Sequence, residues 1–163
     1  MSKILIAYAT HHGTTEKIVN LMAQHLPGAD LHDVGKGQMP SIEAYDLVVI
    51  GGPIQAGKIH KMVKKFCQTN LEQLLQKKLA LFICCMYDGQ KAEQQFNQAY
   101  PDTLRAAARE KAILLGELNL ERLNFLEKFV IKNFIGVKQS VSRLQPDEII
   151  NFARRLNSLV ETS

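Results

Sequence analysis

The chain has 163 residues, which fits one domain, residues 1–163, around one core. Hydrophobic residues make up 46% of it and no apolar run approaches the roughly 20 residues that span a bilayer, so a disordered or membrane-spanning chain is not expected. Twenty Lys and Arg against 16 Asp and Glu leave +4, a mild excess that suits acidic partners or an anionic surface; without a dense basic stripe and interleaved aromatics, nucleic acid is not an expected partner.

In chain order, Met1-Ser2-Lys3-Ile4 lacks the features of a signal peptide, so the expected compartment is the cytoplasm. Lys3 to Ala9 (KILIAYA) is a short apolar run ending at a turn, the pattern of a buried strand. Ile18, Leu21, Met22 and Leu26 recur at helical spacing over Thr14 to Leu26, and Pro27-Gly28 stops the helix. Ala29 to Val34 is a weak strand, and Gly35 to Tyr45 is mostly loop. Leu47 to Gly51 is a second fully apolar strand, followed by one or two helices between about Ile59 and Leu75. Leu79 to Cys85 is another buried strand. Glu93 to Tyr100 and Thr103 to Ala108 are helical, parted by Pro101, and Lys111 to Leu118 is the last strand. Leu120 to Ile135 and Asp147 to Val160 are helices, the latter with Pro146 just before it.

Strands apolar on both faces and separated by helices imply a parallel sheet covered on both sides, a doubly wound three-layer α/β fold. Ligands of such sheets bind beyond the carboxyl ends of the strands. The segments there are Thr10 to Thr15, Gly52 to Gly57 and Met86 to Gln90.

The first of these, Thr10-His11-His12-Gly13-Thr14-Thr15, leaves a strand and opens a helix. Amides at a helix start and the helix dipole favour an anion, Gly13 lets the backbone close around a small group, and three threonine hydroxyls can donate. The plainer reading is that Thr14 or Thr15 only caps the helix. GxxxxGK[ST] and GxGxxG are both absent, which argues against a P-loop NTPase and a dinucleotide site.

TxxGxT directly after the KILIAY strand resembles the FMN phosphate loop of the flavodoxin family, with His12 where that family usually has Thr. The resemblance covers nearly the whole chain. It implies a five-stranded parallel sheet in the order 2-1-3-4-5 and FMN as cofactor. It places Thr10, His11, His12, Gly13, Thr14 and Thr15 around the phosphate, with an imidazole N–H or the backbone replacing the hydroxyl missing at His12. It also places Pro53, Ile54, Gln55, Ala56 and Gly57 along one face of the flavin ring, and Met86, Tyr87, Asp88 and Gly89 on its pyrimidine side. Tyr87 is the aromatic expected to touch the ring, unless it simply packs at the strand end. The chain contains no Trp, so one flavin face is apolar, through Ile54, or open, which suits a flavin that reacts with a substrate. Asp88 near the ring would lower its potential. No catalytic residue is assigned; His60 reads as a proton donor or as a plain surface histidine.

The segment Leu123 to Lys138 interleaves apolar groups with Lys128, Lys132 and Lys138, as a helix at a membrane interface does; packing on the sheet edge or a partner subunit explains it as well. EKFVIKNFI within it, DEIINFARRL after it and IGGPIQAGKIH around His60 resemble the menaquinone-dependent protoporphyrinogen oxidase branch, although Gln55 and Ala56 replace that branch's aromatic and basic residues. Three functions follow. One is an FMN-dependent oxidoreductase or electron carrier, working with a redox protein or a quinone. The second is a quinone-linked protoporphyrinogen oxidase of haem biosynthesis, peripheral to the membrane. The third is a flavin-free interaction module, and a homo-oligomer fits any of them. Cys67, Cys84 and Cys85 show no ligand spacing; Cys84 and Cys85, inside an apolar run, read as buried small hydrophobes, with a redox-active thiol as the alternative; adjacent His11 and His12 do not suggest a metal.

Overall fold

The computed structural model describes residues 2–39, 41–118, 141–142 and 144–161. The elements run β1 (Ile4–Tyr8), α1 (Thr14–Gln24), β2 (Ala29–Asp33), a 3₁₀ turn (Ile42–Ala44), β3 (Leu47–Gln55) and β4 (Lys58–Ile59). They continue with α2 (Lys61–Thr69), α3 (Leu71–Leu74), β5 (Lys78–Cys85), α4 (Gly89–Ala99) and α5 (Asp102–Ala107). Last come β6 (Glu110–Leu115), β7 (Glu117–Leu118), β8 (Val141–Ser142) and α6 (Pro146–Glu161).

The main sheet is parallel in the order β2-β1-β3-β5-β6. Counted without the short β4, which pairs antiparallel with the end of β3, this is the expected 2-1-3-4-5 order. Every residue of β1 is buried, as are the first six of β3 and all but the first of β5. Successive side chains of a strand point to opposite faces, and here both faces are covered. Leu5, Val48, Ile50, Leu79, Leu81 and Ile83 pack with Val63, Phe66 and Phe96 from α2 and α4. Ile4, Ile6, Leu47, Val49, Ala80 and Phe82 pack with Ile18, Met22, Phe152 and Leu156 from α1 and α6. The result is a three-layer α/β/α fold.

Several boundaries differ from the sequence expectations. β3 runs to Gln55 instead of stopping at Gly51, because it turns straight back into β4. Ala56 (φ 50) and Gly57 (φ 77) are both left-handed, the geometry of the tight turns whose twist matches paired strands. Helix α4 starts at Gly89, not Glu93. The last sheet strand ends at Leu115, and Glu117–Leu118 leaves the sheet to pair with Val141–Ser142. The helix expected over Leu120 to Ile135, and the apolar-basic segment Leu123 to Lys138, lie outside the described residues. Among the described residues no helix is long and apolar enough to cross a membrane.

Candidate functional site beyond the strand ends

The ends of β1, β3, β5 and β6 converge on the turn between β1 and α1. The Ala9 amide donates to Gly51 O at 3.3 Å, tying the start of the turn to β3. The Gly13 amide donates to Thr10 Oγ1 at 2.9 Å, which closes the turn on itself. Gly13, at φ 89, is the N-cap of α1; it has no side chain with which to cap, and the helix has no side-chain cap bond. A side chain here would be strained, since L-residues rarely take that φ. With no side-chain cap in place, the positive end of the helix dipole faces the turn and favours an anion there.

Thr15 is almost fully buried, at 1% exposure, and its Oγ1 has no oxygen or nitrogen partner among the described residues, only the weak thiol of Cys84 beside it. A buried hydroxyl without a strong partner costs free energy unless a ligand satisfies it, so this atom fits a phosphate. The neighbouring Cys84 thiol is pushed up to about 12, by burial first; the Thr15 hydroxyl acts in the opposite sense. Burial likewise raises Cys67 to about 12. Both thiols are therefore protonated at neutral pH, against a redox-active role for either.

On one side of the turn stands Gly116, whose amide donates to Cys85 O at 2.9 Å. A Cβ on Gly116 would stand 3.4 Å from the Thr14 methyl. On another side stands Gly52, where a Cβ would lie 2.8 Å from Val63 Cγ2 and 3.7 Å from the Ala9 carbonyl oxygen. Gly52 opens the second expected segment, whereas Gly116 is not marked by the sequence; both work by letting elements approach closely.

Pro53 stands opposite Cys84 in the β3–β5 register, so the two expected flavin segments leave the sheet side by side. Pro53 and Ile54 are half-buried, and Ile54 packs against the α2–α4 side of the core; Gln55 and Ala56 are exposed at the hairpin, with Gly57 half-buried. The Cys85 thiol donates to Tyr87 O at 3.1 Å, holding the start of the second segment. Met86 and Tyr87 are half-buried, Asp88 is the N-cap of α4 and Gly89 opens it at φ 62. Lys91 Nζ lies 3.9 Å from the centre of the Tyr87 ring, a cation–π contact that occupies one ring face. His11 is exposed and His12 half-buried, with ring centroids 4.1 Å apart, and His60 lies 6.4 Å from His11.

Two grooves lie elsewhere, one of about 520 Å³ between α2 and α4–α5 and one of about 300 Å³ against β6. None of the expected site residues lines either. Among the described residues no group of three or more His, Cys, Asp or Glu is placed to hold a metal ion.

Residues 5–142 match the family described as Flavodoxin domain. The chain belongs to the flavodoxin family. This flavodoxin-family chain is also 24% identical to the protoporphyrinogen IX dehydrogenase [quinone] of Escherichia coli (strain K12), over 98% of this chain and 97% of that protein. Solved structures share the fold at lower identity. A flavodoxin, WrbA-like protein from Agrobacterium tumefaciens superposes with a TM-score of 0.62 at 13% identity, covering 99% of each chain. A Fusobacterium nucleatum flavodoxin bound to flavin mononucleotide gives 0.55 at 18% identity, covering 98% of this chain and 99% of that one.

Proposed function

We propose that the chain, as one domain over residues 1–163, binds FMN beyond the ends of β1, β3 and β5 and acts in electron transfer or as a flavin-dependent oxidoreductase. The observation that carries this reading is the start of α1, without a side-chain cap and closed by the Gly13 to Thr10 hydrogen bond, with the Thr15 hydroxyl buried behind it and lacking any oxygen or nitrogen partner among the described residues. Bound flavin supplies the redox chemistry. The protein's residues hold and screen it. Thr10 Oγ1 already accepts from the Gly13 amide, so its own hydrogen is free to donate to a phosphate oxygen. Thr14, Thr15 and the first-turn amides add donors, and His12 takes the place usually held by a threonine. The Pro53–Gly57 hairpin and Met86–Gly89 flank the ring, with Tyr87 backed by Lys91.

Such a protein works in the cytoplasm and exchanges electrons with a redox protein or a quinone. Freshly purified protein should be yellow, with oxidised-flavin absorption and released FMN. Colourless protein that cannot be reconstituted with FMN contradicts the proposal and favours a flavin-free interaction module.

A second reading, oxidation of protoporphyrinogen coupled to a quinone, is favoured by the end-to-end relationship to the E. coli dehydrogenase. Its test is anaerobic: protoporphyrinogen should bleach the flavin band within minutes and a menaquinone analogue should restore it. An unbleached flavin rejects this reading and leaves the first intact.

A further inference from the structure

His60 occupies the N-cap of α2, at the corner where β4 turns into the helix. Its Nδ1 accepts a hydrogen bond from the Met62 amide at 3.1 Å. An imidazole nitrogen that accepts carries no proton, so the neutral ring carries its proton on Nε2. The two ring nitrogens point apart, and Nε2–H is directed away from the helix that Nδ1 caps. No described residue partners it.

The surroundings keep the ring neutral. Protonating Nδ1 would break the cap and put a cation at the positive end of α2. Burial disfavours the charged ring most, His11 and Lys61 add to this, and Asp33 at the end of β2 opposes them; together they move the pKa below the usual histidine value. The position is fixed as tightly as the tautomer. The His60 amide donates to Pro53 O at 3.1 Å, and its carbonyl accepts from the Val63 and Lys64 amides. Its Cβ lies 3.8 Å from where a Gly52 side chain would begin, on the β3 strand that the Ala9 amide also bonds. The ring faces His11 of the β1–α1 turn at 6.4 Å.

We propose that His60 is a cofactor-binding residue: a neutral imidazole, locked as the Nε2–H tautomer by the α2 cap, that donates one hydrogen bond to an acceptor oxygen of the flavin nucleotide seated on the β1–α1 turn. This rests on the FMN reading above. Histidine performs two tasks here, capping with one nitrogen and donating with the other, and the substitutions that separate them define the test. His60→Asn keeps a good N-cap acceptor and removes the outward ring donor; His60→Ala removes both.

The experiment is nitrogen-15 NMR of the full chain, following the His60 ring and the Gly13 amide while FMN is added, together with FMN titration of both variants. The expected result is an acceptor-type Nδ1 and a protonated Nε2 at pH 7, with the Nε2 signal moving in step with the Gly13 amide. His60→Asn should melt like the parent and bind FMN about 3- to 10-fold more weakly, the range expected for one hydrogen bond. His60→Ala should show the same affinity loss and a lower melting temperature. A Gly13 amide that moves while His60 Nε2 stays still, or a His60→Asn variant with parental affinity, overturns the assignment and leaves FMN binding standing. If neither signal moves, the FMN reading and this assignment fall together.

Discussion

The Gly13 amide donates to Thr10 Oγ1 across three residues, so the threonine that can meet a phosphate also shapes the turn that surrounds it. Thr10→Ala removes both the acceptor for Gly13 and a donor for the ligand. FMN binding should weaken by about 1–3 kcal/mol, the scale of a lost hydrogen bond to a charged group. Thr10→Ser should retain most of the affinity. Fluorescence titration of both variants reads this directly, and unchanged affinity in Thr10→Ala would remove Thr10 from the ligand set.

Phe82 and Gly51 are register partners in β5 and β3, and the phenyl ring fills the space above the glycine. A Cβ there would stand 2.2 Å from two ring carbons. Phe82 is itself fully buried and meets Phe152 of α6 edge-on, so it has nowhere to move. Gly51→Ala should destabilise the fold by about 1–3 kcal/mol through overpacking, measured by urea unfolding. An unchanged midpoint would show that the ring can shift.

Tyr100 is buried just past the end of α4, and its hydroxyl reaches back into the sheet. It donates to Phe82 O at 2.6 Å and lies 3.3 Å from Ile50 O. Tyr100→Phe leaves these acceptors without that donor and should cost about 1–3 kcal/mol of stability. Because Tyr100 is remote from the β1–α1 turn in the chain and lines none of the expected site, FMN affinity should hold in the folded variant.

How far this fold can be read from sequence depends on where the signal is local. β1, β3 and β5 announce themselves because burial on both faces makes them uninterrupted apolar runs. The β3–β4 hairpin does not: its turn is Ala56-Gly57, and nothing marks Ala56 as the residue that takes φ 50. The end of β6 is hidden for the opposite reason: LLGEL reads as continuous strand, whereas the sheet strand stops at Leu115 and Glu117–Leu118 pairs instead with Val141–Ser142. The β1–α1 turn is legible from its threonines and glycine. The imidazole that caps α2 is not, because Ser, Thr, Asp and Asn are the usual N-caps. The Lys91 contact with Tyr87 is likewise settled only by where α4 begins.

Buried thiols and phenols set the alkaline limit of stability. Cys67 and Cys84 are raised from 9.0 to about 12, and Tyr8, Tyr45 and Tyr100 are raised above 10.0, in each case with burial as the largest cause. The unfolded chain therefore loses these protons first as pH rises, and stability falls with pH from about 9 upward. The full contribution is present below pH 9. Urea midpoints should be flat between pH 7 and 8.5 and decline above that, and thiol alkylation at pH 8 should be slow until denaturant is added. A midpoint that rises above pH 9 would contradict this.

The account turns on whether the β1–α1 turn grips a phosphoryl group. Calorimetric titration with FMN and with riboflavin, which lacks that group, isolates its contribution. Several charge-assisted hydrogen bonds at roughly 1.5–3 kcal/mol each predict that FMN binds at least about 100-fold more tightly. Equal affinity for the two flavins would contradict the account.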